Sequence, residues 1–391
     1  MRILMLEWDS FAHEHVMKEL RKADCEVDIF HFPFGSEDMH YNEPLYHRLM
    51  ERLKEEKYDF AFSFNFFPIA AKACNVRNVK YAAWIYNTPF LLRYSKYAML
   101  DTNYIFFFDK SLFYDFKRNG LKNAFYLPMA APVDYYDSVI IEEEKKESYG
   151  ADISFVGSTY SEMRQDFSQM MNGVSEYTLG YLNGIMKVQG ELYGSFILEE
   201  VLTDNILREL RKVCPIQKGA SEWETDAWIY ANYFLARKLT GEQRLEQLEL
   251  LGQRYSVKLF TPEQTLKMEH VMNSGPVDYE KEMPIVFKNS RINLNMTLRS
   301  IHTGIPLRAM DIMGCGGFLL TNYQEDFLEH FEPGVDYVYY SSCEELLELA
   351  EYYMNHEEER LEIARNGYHR VKTGHTYRNR VEYLLMRMNE L

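Results

Sequence analysis

The sequence lacks several features that would each point to a different class of protein. Its five cysteines are widely spaced and form no Cys-x-x-Cys pair, so we expect reduced thiols in a cytoplasm. It contains no run of about 18 apolar residues, so no membrane span is expected, and its first residues lack the long apolar stretch of a secretory signal. A net charge of −16 disfavours nucleic acid as the main partner, because phosphate backbones are bound by basic surfaces.

The length predicts more than one domain. The chain has 391 residues, whereas single hydrophobic cores stop growing at roughly 250–300 residues. We therefore expect two domains.

Strand and helix patterns alternate along most of the chain. RILMLE, HVMKELRKA and CEVDIFHF predict a strand, a helix and a strand at the start, and the alternation continues to about residue 130. The acidic run IEEEKKES (141–148) reads as a solvated connector. We therefore predict domains at 1–145 and 150–375, with a last helix (376–391) returning toward the first. DISFV opens the second domain, which carries a helical insertion at about 165–250.

This alternation is typical of two doubly wound, Rossmann-like α/β domains that face a cleft. Ligands of such sheets bind outside the carboxyl ends of the strands, and the crevice between two sheets is the default site. Phe260 and Thr261 end the predicted strand YSVKLFT and are therefore candidates to hold a nucleobase.

The stretch GIPLRAMDIMGCGGFLLTN (304–322) predicts a short helix that runs into a strand, with Pro306 as the first helical residue. Arg308 and Asp311 are three residues apart and share a face of this helix. One interpretation is a surface ion pair. The other is a nucleotide clamp, in which the helix N-terminus and Arg308 bind phosphate and Asp311 binds ribose hydroxyls. Gly314 either ends the helix or lets the backbone approach a ligand or the sheet.

The same stretch, with its continuation to GYHRVKTGHTYRNRVEYLL, resembles the C-terminal half of the CgeB-like glycosyltransferases, which have the GT-B fold. LEWDSF, WIYNTP, FFFDKS and DISFVGSTYSEMR are similar to other parts of that family. The resemblance covers most of the chain outside 165–250. It implies a nucleotide-sugar site mainly in the second domain.

The resemblance also implies roles for individual residues. Gly157, Ser158 and Arg164 would approach the diphosphate, and Arg308 matches a basic residue of the family. Asp311 stands where relatives place a ribose-binding Glu. Thr303 stands where retaining relatives carry a second Glu, so the stereochemical outcome is left open.

A base that activates the acceptor would come from the first domain. His13 follows the first strand and is the preferred candidate, with a solvated loop histidine as the alternative. Asp109 is a second candidate, although capping of the following helix explains it better. Asp9, Tyr86 and Asn87 are placed on the acceptor side.

The resulting expectation is a glycosyltransferase that moves a sugar from a nucleotide diphosphate to a hydroxyl on a protein, a glycan or a surface precursor. The sequence contains no Asp-x-Asp triplet, so we expect neither metal nor cofactor, with fixed cations neutralising the leaving diphosphate. A homodimer is possible. The alternatives are a non-catalytic scaffold that binds a glycan or partner and, ranked lower, a nucleotide-sugar 2-epimerase.

Overall fold

The computed structural model describes residues 1–8, 10, 12–31, 42–90, 94–160, 171–216 and 223–389. Their chain divides into two compact units. Unit 1 comprises the described residues of Met1–Ala130, Gln217–Glu224 and His375–Leu391, and unit 2 those of Ala131–Ile216 and Thr225–Gly374.

Each unit is built on six strands. The strands of unit 1 are β1 Arg2–Glu7, β2 Glu26–His31, β3 Phe60–Phe64, β4 Lys80–Ile85, β5 Asn103–Phe107 and β6 Ala124–Tyr126. Those of unit 2 are β7 Ile153–Val156, β8 Val257–Phe260, β9 Val271–Asn273, β10 Ile292–Asn295, β11 Leu319–Asn322 and β12 Val338–Tyr340.

Helices separate most of these strands. In chain order they are α1 His13–Lys22, α2 Glu43–Glu55, α3 Pro68–Arg77, α4 Lys110–Arg118, α5 Val133–Ser138, α6 Glu143–Tyr149, α7 Glu176–Glu191, α8 Asp204–Val213, α9 Asp226–Ile229, α10 Ala236–Gly252, α11 Met283–Asn289, α12 Leu307–Gly314, α13 Phe327–His330, α14 Cys343–Asn355, α15 Glu357–Gly374 and α16 Tyr377–Asn389. A short 3₁₀ turn covers Lys96–Met99, and a π-helix at Tyr230–Leu235 joins α9 to α10.

Both sheets are parallel throughout, as the strand–helix alternation predicts. The order is β2-β1-β3-β4-β5-β6 in unit 1 and β12-β11-β10-β7-β8-β9 in unit 2. The second order is that of a dinucleotide-binding Rossmann sheet, in which the strand sequence reverses between β7 and β10. The carboxyl ends of β7 and β10 therefore mark the expected ligand position within unit 2.

The acidic run 141–148 differs from its prediction as a connector, because most of it forms the exposed helix α6. This helix packs in unit 2, where the hydroxyl of Tyr149 donates to Glu282 at 2.7 Å. The boundary between the units accordingly lies at Ala130–Ala131 rather than near 145. β9 was not predicted, since an edge strand of three residues leaves little periodicity.

The predicted insertion is mostly helical in its described residues, from α7 to α10. Leucines of α7 and α8 and Met186 form a core of their own with Tyr230 of the π-helix. Between α8 and α9 the chain returns to unit 1, where the backbone N–H of Trp223 donates to the carbonyl of Tyr94 at 3.2 Å. This return had no signal in the sequence. No described helix is long and apolar enough to cross a bilayer.

Gly317, between α12 and β11, should tolerate no side chain. A Cβ there would lie 2.6 Å from the amide nitrogen of buried Asn293 and 2.9 Å from the carbonyl oxygen of Phe287. We predict that Gly317→Ala lowers the free energy of unfolding by about 1–3 kcal/mol, as overpacking does. Urea unfolding measures this change.

Gly180→Ala is the matched control for this substitution. Gly180 lies in α7 with nothing within 4 Å of an added Cβ. Because alanine favours helix over glycine, this variant should gain about 0.5–1 kcal/mol. Equal effects of the two substitutions would contradict the close packing around Gly317.

Candidate functional site in unit 2

The helix predicted in 304–322 is α12, and its glycines end it. Pro306 occupies the N-cap rather than the first helical position, so the helix begins at Leu307. Gly316 has a φ of 78°, a backbone conformation that favours glycine, and its N–H donates to the carbonyl of Met313 at 2.9 Å. A Cβ on Gly314 would lie 2.7 Å from the Cβ of Ala131. The close approach at Gly314 is therefore to another part of unit 2.

Asp311 is fully buried on this helix, so the surface ion pair interpretation is wrong. Its Oδ1 accepts hydrogen bonds from the hydroxyls of Tyr136 at 2.8 Å and Tyr279 at 3.0 Å. Its Oδ2 lies 3.4 Å from Nη1 of Arg308. The predicted shared face is confirmed, but it faces the interior at Asp311.

Arg308 reaches from this buried carboxylate toward the surface. Its side chain is 27% exposed. The guanidinium carbon lies 5.8 Å from the ring centre of Tyr279 and 5.9 Å from that of Phe287, and Nη1 also contacts the sulfur of Met283. Cation–π contacts and the ion pair together fix a positive charge in the first turn of α12.

The loop after β7 is predicted to approach the diphosphate, but in the structure it binds a side chain of the protein. Gly157 and Ser158 follow the strand as expected, but the carboxylate of Glu263 fills the turn. Ser158 Oγ donates to Glu263 Oε1 at 2.5 Å, and the backbone N–H groups of Thr159 and Tyr160 donate to the same oxygen at 3.0 and 3.1 Å. Arg164, predicted beside this loop, lies outside the described residues.

The two residues proposed for the nucleobase are both buried at the end of β8. Phe260 is stacked on Tyr149 with ring centres 6.1 Å apart. Thr261 has no exposed surface, and its hydroxyl donates to Glu263. Both side chains therefore make structural contacts within unit 2.

Buried Arg244 connects the ends of β7 and β10. Nη1 donates to the carbonyl of Ser158 at 2.6 Å, Nε donates to that of Met296 at 3.1 Å, and Nη2 contacts the same oxygen. Burial lowers the pKa of its guanidinium. Arg244 thus fixes the two strand ends at which the strand order reverses.

The described residues predicted from unit 1 follow the carboxyl ends of its strands. His13 begins α1 and is buried, so the solvated alternative is wrong. Its ring centre lies 5.5 Å from that of Phe64, and burial lowers the pKa of the imidazole. Among the described residues its Nε2 has no hydrogen-bond partner.

Tyr86, Asn87 and Asp109 lie at two further strand ends of unit 1. The backbone N–H groups of Tyr86 and Asn87 each donate to Asn65 Oδ1 at 3.2 Å. Asp109 is fully buried and caps α4 by accepting from the N–H of Ser111 at 2.9 Å, which is the capping alternative. Asp9 lies outside the described residues.

A family model matches the C-terminal part of the chain. Residues 233–386 match the model of a family described as glycosyl transferase-like. The match includes Glu263, Arg308 and Asp311 and begins after the β7 loop. None of the curated proteins matches the chain significantly.

Solved structures share the fold of the whole chain. Anabaena HepE in complex with UDP-glucose aligns with a TM-score of 0.57 and 10% identity over 100% of both chains. Sucrose-phosphate synthase from Thermosynechococcus elongatus aligns with a TM-score of 0.53 and 9% identity over 98% of this chain and 97% of that one. At such identities the likeness shows the fold alone, which is the two-sheet GT-B fold of glycosyltransferases. Membership of the CgeB-like subfamily stays a prediction.

Four side chains of this candidate site were not found from the sequence, namely Tyr136, Arg244, Glu263 and Tyr279. Tyr136 is 175 residues from Asp311 in the chain, and Glu263 is 105 residues from Ser158. Neither pair leaves a local pattern, although Glu263 lies only two residues beyond the predicted strand end at Thr261.

Asp311 should make stability depend on pH. Burial raises the pKa of its carboxyl from 3.8 to about 6, against the opposing effects of Arg308 and the two tyrosine hydroxyls. Because the folded state holds the proton more tightly, this contribution to stability is complete below pH 3.8 and is lost as pH rises through about 6.

We predict that wild type loses about 2.4 kcal/mol of stability relative to Asp311→Asn between pH 4 and pH 7. Asparagine keeps an oxygen that accepts from both tyrosines and does not titrate. Urea unfolding across this range measures the difference, and exposed Asp134→Asn controls for net charge. A difference between wild type and Asp311→Asn that is constant with pH would contradict the raised pKa.

Proposed function

We propose that this protein is a glycosyltransferase that moves a sugar from a nucleotide-diphosphate donor to a hydroxyl acceptor on a protein, a glycan or a surface precursor. The observation that carries the proposal is a guanidinium, that of Arg308, fixed at the start of α12 within the glycosyl transferase-like segment. The GT-B fold and the complexes of HepE with UDP and with UDP-glucose support a nucleotide-sugar donor. Free thiols at all five cysteines fit a reducing compartment, so we place the reaction in the cytoplasm.

The chemistry requires positive charge where the diphosphate leaves. Breaking the sugar–phosphate bond leaves negative charge on the departing oxygen, and preorganised donors stabilise it most effectively. Arg308 is held on one side by Asp311 and on the others by Tyr279 and Phe287. It therefore meets the diphosphate without reorganising, together with the positive end of α12.

Asp311 is proposed to contact the donor ribose through Oδ1. Of the two hydroxyls bound to this oxygen, that of Tyr136 is fully buried, whereas Tyr279 is partly exposed. A ribose hydroxyl donates in the same way as a tyrosine hydroxyl. We therefore expect the ribose to replace Tyr279 on Oδ1 while Tyr136 stays in place.

Arg308→Ala should weaken nucleotide binding while the protein stays folded. A charge-assisted hydrogen bond contributes about 1.5–3 kcal/mol, so we expect roughly 10- to 100-fold weaker binding. Calorimetric titration with UDP, GDP, CDP and dTDP identifies the base and measures the loss.

Arg254→Ala is the matched control, because it removes an exposed arginine of the same unit at the opposite, amino edge of the sheet. It should bind nucleotide as wild type does. Wild type that binds none of the four nucleotides would favour the scaffold alternative, and unchanged affinity of Arg308→Ala would remove Arg308 from the site.

Turnover should continue in excess EDTA. The proposal assigns the charge of the diphosphate to Arg308 and α12, so no divalent cation is needed. Donor hydrolysis or transfer is measured after exhaustive treatment with EDTA and compared with an untreated sample. Full loss of activity that manganese restores would contradict this assignment.

A further inference from the structure

The turn after β7 has the form of an anion-binding site. The N–H groups of Thr159 and Tyr160 and the hydroxyl of Ser158 all point at one oxygen. Tyr160 has a φ of 53°, and backbone in this left-handed region directs successive N–H groups to one side. Such concave groups of donors bind phosphate and carboxylate oxygens in many proteins.

The anion in this turn belongs to the chain itself. Glu263 is 8% exposed, and three donors bind its Oε1. The hydroxyl of Thr261 donates to Oε2, so both carboxylate oxygens are bound within unit 2. Buried Arg244, which donates to the carbonyl of Ser158 at 2.6 Å, supplies a positive charge nearby. Charge-assisted hydrogen bonds of this kind are stronger than those between neutral groups, which makes displacement of the carboxylate costly.

We propose that Glu263 is a resident anion that fills this phosphate-type site and excludes the donor diphosphate from it. The inference rests on the proposed function in one respect: the diphosphate binds at Arg308 and α12 rather than in the turn after β7. A phosphate that approached the turn would meet donors already in use and a like charge within a few ångströms. Glu263 is thus a specificity-determining residue, and the turn it fills becomes a structural link between β7 and β8.

Removing Glu263 should therefore open a site for an anion. Glu263→Ala leaves the buried N–H of Thr159 without its acceptor and leaves the N–H of Tyr160 with Ser158 Oγ alone. Inorganic pyrophosphate can supply the missing oxygens. The test uses the full chain in an Arg308→Ala background, so that binding at α12 does not contribute. We expect Arg308→Ala/Glu263→Ala to bind pyrophosphate at least about tenfold more tightly than Arg308→Ala alone, the gain from a single such hydrogen bond.

Two readouts separate this role from a merely structural one. Calorimetry measures pyrophosphate affinity, and thermal unfolding with and without pyrophosphate shows whether the anion restores the Tm that Glu263→Ala loses. Glu263→Ser, which is smaller than glutamate but keeps a hydroxyl for the turn, is measured in the same way if the alanine variant is too unstable to titrate.

Two controls define the site. Glu263→Gln keeps an oxygen for the two N–H groups and leaves no room, so it should gain no pyrophosphate binding. Glu325→Ala removes one negative charge from an exposed position and should also gain none.

The outcomes are distinct. The resident anion is supported if pyrophosphate binding or Tm recovery is seen in the alanine or serine variant and in neither control. No gain in either variant, or an equal gain in Glu263→Gln or Glu325→Ala, overturns it. Because pyrophosphate is the probe, these results do not depend on whether wild type binds nucleotide. A failure of the proposed function is seen separately, in the nucleotide titrations.

Discussion

The candidate site depends on one buried carboxylate. Asp311 has no exposed surface, and such a charge is tolerated inside a protein only when it is paired and hydrogen-bonded. Tyr136 and Tyr279 satisfy Oδ1 and Arg308 lies beside Oδ2, so the need to compensate Asp311 fixes the position of the guanidinium. Arg308 would otherwise lose conformational freedom about several bonds when it binds a ligand. Its contacts with Asp311 instead fix it in advance in the first turn of α12.

Two acidic side chains of unit 2 have different roles in the candidate site. Asp311 holds a cation in place on α12, the helix that follows β10, whereas Glu263 binds the donors that follow β7. The strand order reverses between these two strands, where ligands of a Rossmann sheet bind. Because Glu263 occupies the turn and Arg244 is bound to backbone carbonyls, we assign the contact with the donor phosphate to Arg308.

The sequence predicts the parts of this arrangement that depend on local pattern. Alternating apolar runs predict nearly all the strands, and the Arg308–Asp311 spacing correctly places both side chains on one helical face. Burial of that face was not predictable, because Tyr136 is 175 residues away. Glu263 was missed for the same reason, since its partners follow β7 while it follows β8. The run at 141–148 was predicted as a connector, but most of it forms α6, because its glutamates and lysines, although highly charged, are good helix formers.

The most direct test of the role of Arg308 is a crystal structure of the protein with UDP. We predict that the diphosphate lies within hydrogen-bonding distance of Arg308 and the first turn of α12, with Asp311 at the ribose and Glu263 still in the turn after β7. A diphosphate bound at Ser158 in place of Glu263, with Arg308 far from it, would contradict both assignments.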